Sequence, residues 1–207
     1  MDNIERTYFI AITGMSGSGK TTVGNFLREK GCYVFDTDAF TREILKKDTI
    51  IVKIIENIVK ETITKDGEID YKKIGKIFDS NPKLENRFET WFQTYIGNKI
   101  LEKSKDLQDK NTMIFFDIPL LKQKGILEIF DMLWIIETNA EVCYNRIRQR
   151  NGYSDQKIQY ILTNSKLYKE YYQYNCIIIN NNSSIENLKK IVDLRLNCLI
   201  DKLYFNS

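Results

Sequence analysis

The chain has 207 residues, 43% of them hydrophobic, and 31 basic against 28 acidic side chains give a formal net charge of +3. That is enough apolar mass for one domain with insertions, and the near balance of charge argues against a nucleic-acid partner held by a broad basic field. Histidine is absent and Cys32, Cys143, Cys176 and Cys198 are far apart, which excludes histidine acid–base catalysis and the usual Cys/His zinc patterns. No signal peptide precedes the first apolar segment and no run of 18 apolar residues occurs, so a soluble cytoplasmic protein with no membrane partner is expected.

The first segment, Tyr8-Phe9-Ile10-Ala11-Ile12, has the β-branched and aromatic content of a buried strand. Gly14-Met15-Ser16-Gly17-Ser18-Gly19-Lys20-Thr21 follows and fits Gly-x-x-x-x-Gly-Lys-Ser/Thr at every fixed position. Val23, Phe26 and Leu27 then fall at helical spacing behind Thr21 and Thr22. Strand, glycine turn and helix predict a loop whose N–H groups wrap a phosphate, with the positive end of a helix behind it. Gly14, Ser16, Gly17, Ser18, Gly19, Lys20, Thr21 and Thr22 are therefore the candidate ATP-binding residues. Lys20 would reach the β- and γ-phosphates, and the Thr21 hydroxyl would hold Mg²⁺.

Gly31 closes the first helix, and Cys32-Tyr33-Val34-Phe35 reads as a short strand ending at Asp36-Thr37-Asp38. A helical pattern runs from Ala39 to Val59 with a break near Asp48; residues 60–70 are polar with a turn at Gly67. Tyr71 to Lys105 is helical, interrupted at Ser80-Asn81-Pro82, where Pro82 suits a helix start. This helix carries Phe88, Trp91, Phe92 and Tyr95, either a surface for an apolar or nucleoside-like part of a substrate or simply core. Met113-Ile114-Phe115-Phe116-Asp117 is a buried strand ending in a carboxylate, and Met132-Leu133-Trp134-Ile135-Ile136 is another. A helix bearing Val142, Arg146 and Arg150 follows, then one starting near Ser154-Asp155 with Ile158, Ile161 and Leu162 as its apolar stripe. Tyr168, Tyr171, Tyr172 and Tyr174 could stack on a base or pack. Cys176 to Asn180 is the last strand, Asn180-Asn181-Asn182 a turn, and Ile185 to Leu203 the last helix.

Strands alternating with helices predict an α/β fold of three layers around a mostly parallel five-stranded sheet. The long gap at residues 39–112 is too large for a simple crossover and predicts a helical insertion over the mouth of the sheet, where substrates of such folds bind. Asp36 and Asp38 stand at that edge; in an extended segment both would point the same way, and if the chain turns at Asp36 only one enters the site. Asp38 is the candidate base for a substrate hydroxyl, because phosphoryl transfer depends chiefly on alignment and charge stabilisation. Asp117 is placed to help hold Mg²⁺, giving Thr21, Asp38 and Asp117 as the candidate metal set, while Thr13 either donates into the same site or packs. Arg146 and Arg150, four apart, share one helical face and suit a lid over the ATP phosphates, whereas Arg148 points elsewhere.

Together these residues resemble the dephospho-coenzyme A kinase family, a group of P-loop NTPase-fold kinases, over nearly the whole chain. The resemblance rests on the loop from Ile12 to Thr21, on Val34-Phe35-Asp36-Thr37-Asp38 and on Arg42-Glu43-Ile44. It continues in Gly67-Glu68-Ile69-Asp70, Ile77-Phe78, Pro82, the distinctive Asp117-Ile118-Pro119-Leu120-Leu121, and Arg146 to Arg150 with Ser154 and Ile161-Leu162. It implies ATP-dependent phosphorylation of the ribose 3′-hydroxyl of dephospho-CoA, with Asp38 as base, Lys20, Thr21 and Arg146 serving ATP, and Asp117 beside the substrate. Residues 1–42, 110–145 and 175–207 would form the nucleotide-binding core, 43–109 the CoA-binding helical insertion and 146–174 the lid, in a monomer or weak homo-oligomer. The chain departs from the family at Gln93-Thr94, where His-Pro is usual, and at Ser165, Tyr168 and Tyr171, where a glutamine and two arginines are common. Cys176 or Asn180 is neutral where an acidic residue is common. The competing readings are a nucleoside or nucleotide kinase of the same fold, and a regulatory nucleotide-binding module; no guanine-reading Asn-Lys-x-Asp occurs.

Overall fold

Alternation along the strands decides which helices cover which face. The computed structural model describes residues 6–108, 112–119 and 125–204, so Leu120 and Leu121 lie outside it. Within it, β1 (Tyr8–Gly14), β2 (Tyr33–Asp36), β3 (Met113–Asp117), β4 (Met132–Glu137) and β5 (Cys176–Asn180) form one sheet of order β2-β3-β1-β4-β5. Every ladder is parallel. Successive residues of a strand point to opposite faces. Phe9, Ala11, Ile114, Phe116, Leu133 and Ile135 therefore enter one core, while Ile10, Ile12, Met113, Phe115, Trp134 and Ile136 enter the other.

The second core is closed by α1 (Lys20–Glu29), through Val23, Phe26 and Leu27, and by α8 (Ile185–Tyr204), through Leu188, Val192 and Leu196. The first is closed by α5 (Pro82–Lys105) with Ile96 and Ile100, α6 (Ala140–Asn151) with Cys143 and Ile147, and α7 (Asp155–Ser165) with Ile158 and Leu162. A 3₁₀ segment (Lys166–Gln173) adds Tyr168 and Tyr171 to that core. Two tyrosines of the predicted set are thus wall material, while Tyr172 and Tyr174 remain partly exposed.

Between β2 and β3 stand α2 (Thr37–Lys47), α3 (Thr49–Ile58), α4 (Tyr71–Ser80) and the first half of α5. Short polar side chains start them: Asp36 accepts from Ala39 N, Asp48 from Ile50 N and Ile51 N, Asp70 from Lys73 N, and Asn81 from Leu84 N with Pro82 next in line. The break anticipated near Asp48 is thus a cap. Residues 60–70 fold back at Gly67 and join Ile63 to Ile69 in an antiparallel bridge. Ile51, Ile55, Val59, Ile69 and Ile74 make a separate small core, and Phe88, Trp91, Phe92 and Tyr95 pack against it. The Phe88 and Phe92 rings stack at 5.7 Å and Trp91 lies 5.6 Å from Tyr95. These aromatics therefore hold the insertion together rather than forming an open platform. At about 1.5 Å per residue, α5 is long enough to serve this core with one half and the main core with the other.

Tyr95 also donates its hydroxyl to Asp48 Oδ2 at 2.6 Å, joining α5 to the cap of α3. That bond, with the backbone donors, holds the Asp48 carboxyl below its usual range, and burial together with Asp48 pushes the Tyr95 phenol up to about 12. The two shifts set the pH window of the bond. Its stabilisation is complete above the unfolded carboxylate value of ~3.9 and below the unfolded phenol value of ~10. It is lost as pH falls through the depressed Asp48 value, and again as pH rises toward about 12. Tyr95→Phe should lower stability at pH 7 by about 1 kcal/mol. The difference from wild type, followed by thermal melts, should shrink at both ends of the pH range; a difference independent of pH would show that the bond does not contribute.

Candidate active site

Parallel strands carry their carboxyl ends to one edge, and the register fixes what meets there. Ile12 and Asp36 both pair with Asp117, Gly14 pairs with Ile136, and Glu137 with Asn180. The chain then leaves β1 in the crevice between β3 and β4, where strand order reverses and open α/β sheets take ligands. The turn needs glycine for steric reasons. At Gly14 (φ 141°) a Cβ would lie 2.3 Å from the Ile136 carbonyl oxygen, and at Gly19 (φ 101°) it would lie 2.5 Å from Asn181 Nδ2. Gly19 is the N-cap of α1 and supplies no side chain, and the first turn of α1 holds no acidic residue. The N–H groups at that end are left for an external anion.

The loop borders a cleft of about 420 Å³. Ser16, Gly17, Gly19, Lys20, Thr21, Thr22, Asp38, Asp117, Arg146 and Arg150 all line it. Gly14 and Ser18 act from beneath. Lys20 Nζ donates to the Gly14 and Met15 carbonyls at 3.0 and 3.1 Å, and Ser18 is wholly buried. Burial lowers the Lys20 pKa, opposed by the charges of Asp117 and Asp38. Burial likewise raises that of Asp117, opposed by Lys20 and by the Thr21 hydroxyl, which donates to Asp117 Oδ2 at 3.1 Å. Each of these charges is costly alone and supported by the other.

The two aspartates after β2 separate cleanly. The strand ends at Asp36 and α2 begins at Thr37, so the alternation of an extended segment does not apply. Asp36 turns back to cap the helix, accepting from Ala39 N at 2.8 Å. Asp38, one residue into the helix, is exposed on the cleft wall. Between them, buried Thr37 donates its hydroxyl to the Asp117 carbonyl at 2.8 Å and pins the start of α2 to β3. Arg146 and Arg150 both reach the cleft from α6, and Arg146 Nη1 lies 3.3 Å from the Gly17 carbonyl. Thr13 is buried and borders a second, smaller cavity. Among the described residues no group of three or more His, Cys, Asp or Glu could hold a metal ion by itself.

Two supporting residues escape a reading of the sequence. Thr138, just past β4, and Asn181, just past β5, are buried and both donate to the Ser18 carbonyl, at 3.0 and 2.7 Å. The Asn181 backbone N–H is held in turn by the Glu137 carbonyl, and Asn139 N–H by the Asn182 side chain. The run of asparagines reads only as a turn because the adjacency of β4, β5 and the glycine loop is not visible in the sequence. Asn181→Ala should weaken ATP binding about tenfold, the equivalent of one buried hydrogen bond. Thr138→Val, which keeps the shape, should act in the same direction. Calorimetric titration of each folded variant with ATP checks this, and unchanged affinity in both would show that the loop does not depend on them.

Comparison with known proteins adds the family. The family model described as dephospho-CoA kinase matches residues 8–187. The dephospho-CoA kinase of Fusobacterium nucleatum is 33% identical over 187 residues, covering 89% of this chain and 94% of that protein. The dephospho-CoA kinase of Streptococcus mutans is 33% identical over 192 residues, covering 92% and 96%. A solved structure, the dephospho-CoA kinase from Campylobacter jejuni, superposes with a TM-score of 0.69 at 22% identity, over 93% of this chain and 97% of that one. That likeness is one of fold, and it fits the sheet and flanking helices described above. With a matching model and relatives of this identity over nearly all of its length, the chain belongs to the dephospho-CoA kinase family.

Proposed function

We propose that this kinase transfers the γ-phosphoryl group of ATP to the ribose 3′-hydroxyl of dephospho-CoA. What supports this most is that an exposed carboxylate, Asp38, shares one cleft with the loop lysine, Asp117 and two arginines. The triphosphate would lie along the loop and the start of α1, beside Lys20. The donor's purine would sit across the loop in a cavity of about 210 Å³ bordered by Thr22, Arg146, Asn181 and Ser183. The 3′-oxygen attacks the γ-phosphorus as its proton passes to Asp38. The bond from that phosphorus to the β,γ-bridging oxygen breaks, and ADP leaves with the electron pair. Asp38 is open to water, so the proton has an exit. Lys20, Arg146 and Arg150 bear on the charge of the transferring group, the kind of preorganised stabilisation that dominates phosphoryl transfer.

The Thr21 hydroxyl, Asp117 and Asp38 are hard oxygen donors, a set that fits Mg²⁺ completed by phosphate oxygens and water. When bound, the ion would supply charge neutralisation at the triphosphate. No helix among the described residues is long and apolar enough to cross a membrane. We read the protein as a cytoplasmic enzyme of a small-molecule substrate, monomeric or weakly self-associating.

Supplying dephospho-CoA, adenosine, dAMP and CMP separately with ATP and Mg²⁺ tests the reading. Only dephospho-CoA should release ADP, and mass spectrometry should find one added phosphate at the ribose 3′ position. Turnover of a nucleoside with dephospho-CoA untouched would overturn the assignment. Lys20→Ala should stay folded and lose roughly 10²–10³-fold in kcat. Asp38→Asn should lower kcat by roughly 10²-fold or more with ATP affinity little changed. Asp36→Asn should stay near wild type, because asparagine caps a helix as well as aspartate does. Normal turnover in Asp38→Asn with a dead Asp36→Asn would move the base to the other carboxylate.

A further inference from the structure

The two edges of the sheet, β2 and β5, end in different ways. In a parallel ladder, alternate residues of an edge strand turn their N–H and C=O groups toward the neighbouring strand, and the residues between them turn theirs outward. At the β2 edge the Val34 carbonyl accepts from Arg28 Nη2 at 3.2 Å, and the strand ends in the charged Asp36. At the β5 edge, Leu133 N–H donates to the Asn175 carbonyl and Asn181 N–H to the Glu137 carbonyl. Ile177 and Ile179 therefore face β4 with their backbone groups, while Cys176, Ile178 and Asn180 face outward. No described residue pairs with those outward backbone groups. We infer that this open edge of β5 pairs with the same edge of a second copy of the chain, antiparallel about a two-fold axis at Ile178, so that the two sheets become one.

The pattern of outward groups selects the occupant. Cys176, Ile178 and Asn180 are symmetric about Ile178, so the strand matches itself when turned over. Cys176 of one copy then meets Asn180 of the other, and Ile178 meets Ile178. In an antiparallel pair, residues opposed in this way exchange both of their hydrogen bonds, which leaves no outward group of the strand unmatched. Such an interface uses one patch on both chains and closes at two copies. The strand Cys176-Ile177-Ile178-Ile179-Asn180 contains no charged residue and no proline, the usual means by which an edge is kept from pairing with itself. Two copies can thus approach along it without repulsion between like charges.

The flanks of the edge are apolar as well. Ile177 and Ile179 turn toward the core beneath α8, which puts Ile178 on the other face of the sheet, where it is 44% exposed. On α8, Lys189 pairs with Glu29 and Asp193 with Lys30, so that side of the helix faces α1 and the centre of the molecule. At 100° per residue, Ile191, Leu194 and Cys198 lie on the side turned away from α1, toward the β5 edge. Leu194 is 59% exposed there and continues the apolar border. One short strand and part of one helix face make a small interface, which suits a weak, concentration-dependent dimer. In an antiparallel union the two carboxyl edges lie at opposite margins of the joined sheet, and both phosphate clefts stay open.

Sedimentation velocity of the full chain from about 1 µM to about 1 mM, the range of weak association, tests the pairing. The mass should rise with concentration from that of one chain, 24.4 kDa, toward twice that value. Ile178→Lys sets two ammonium groups face to face across the axis and should weaken dimerisation at least about tenfold, whereas Ile178→Val should not. Circular dichroism checks that the lysine variant is folded. Cross-linking reads the register independently of that variant. In a Cys198→Ser background, Ile178→Cys brings two thiols opposite each other with Cα atoms about 5.5 Å apart, within disulfide reach. Copper phenanthroline should trap this variant as a dimer, and should not trap Ile50→Cys, at an exposed position on the insertion, in the same background. A wild type that stays monomeric throughout, a dimer unchanged in folded Ile178→Lys, or trapping no faster at position 178 than at position 50 would each overturn the inference.

Discussion

A glycine-rich turn can present its N–H groups to a phosphate only if its carbonyl groups are held elsewhere. Here the Gly14 and Met15 carbonyls accept from Lys20, and the Ser18 carbonyl accepts from Thr138 and Asn181. Buried carbonyls left without donors would cost free energy and give the loop a reason to rotate them toward the cleft. The donors come from three places in the chain, the loop itself and the ends of β4 and β5. The loop's conformation therefore depends on the sheet being assembled. The tight fit of Gly14 against Ile136 and of Gly19 against Asn181 belongs to the same packing, because any side chain there would separate the loop from its supports.

That dependence accounts for the division between what the sequence discloses and what it does not. The order of strands and helices was legible because strand alternation and helical spacing are local, and the Gly-x-x-x-x-Gly-Lys-Thr run is local too. Lys20, Asp38, Asp117, Arg146 and Arg150 each carry a local signal, and the structure brings them to one cleft. The separate roles of Asp36 and Asp38 are not legible in the sequence because one residue's difference in where β2 ends decides which carboxylate turns back to cap. Thr37, Thr138 and Asn181 have no local signal of their roles. Their partners stand 80, 120 and 163 residues away, and an isolated threonine or asparagine carries no periodic signal. The aromatic run of α5 was ambiguous for a related reason: spacing shows that Phe88, Trp91 and Phe92 share a face, but not whether a second core faces them.

Charge is sorted along the carboxyl edge of the sheet. Lys20 and Asp117 sit at its centre, where burial makes each expensive without the other and where phosphates and a cation would complete the balance. Arg146 and Arg150 approach from α6, whose neighbour α7 brings uncharged side chains to the adjoining space. A nucleotide has the same division, with all its charge in the phosphates and a neutral base at the end of the sugar. A kinase that passes a phosphoryl group from one nucleotide to another has a neutral base on each substrate and one charged centre between them. The glycine loop stands at the reversal of strand order, and separate cavities adjoin it, one bordered by Arg146 and Asn181 and one with no charged side chain in its described wall. The tyrosines of the 3₁₀ segment and the arginines of α6 thus border adjoining spaces of opposite character, one neutral and one charged, because α6 and α7 meet the same edge of the sheet with different side chains.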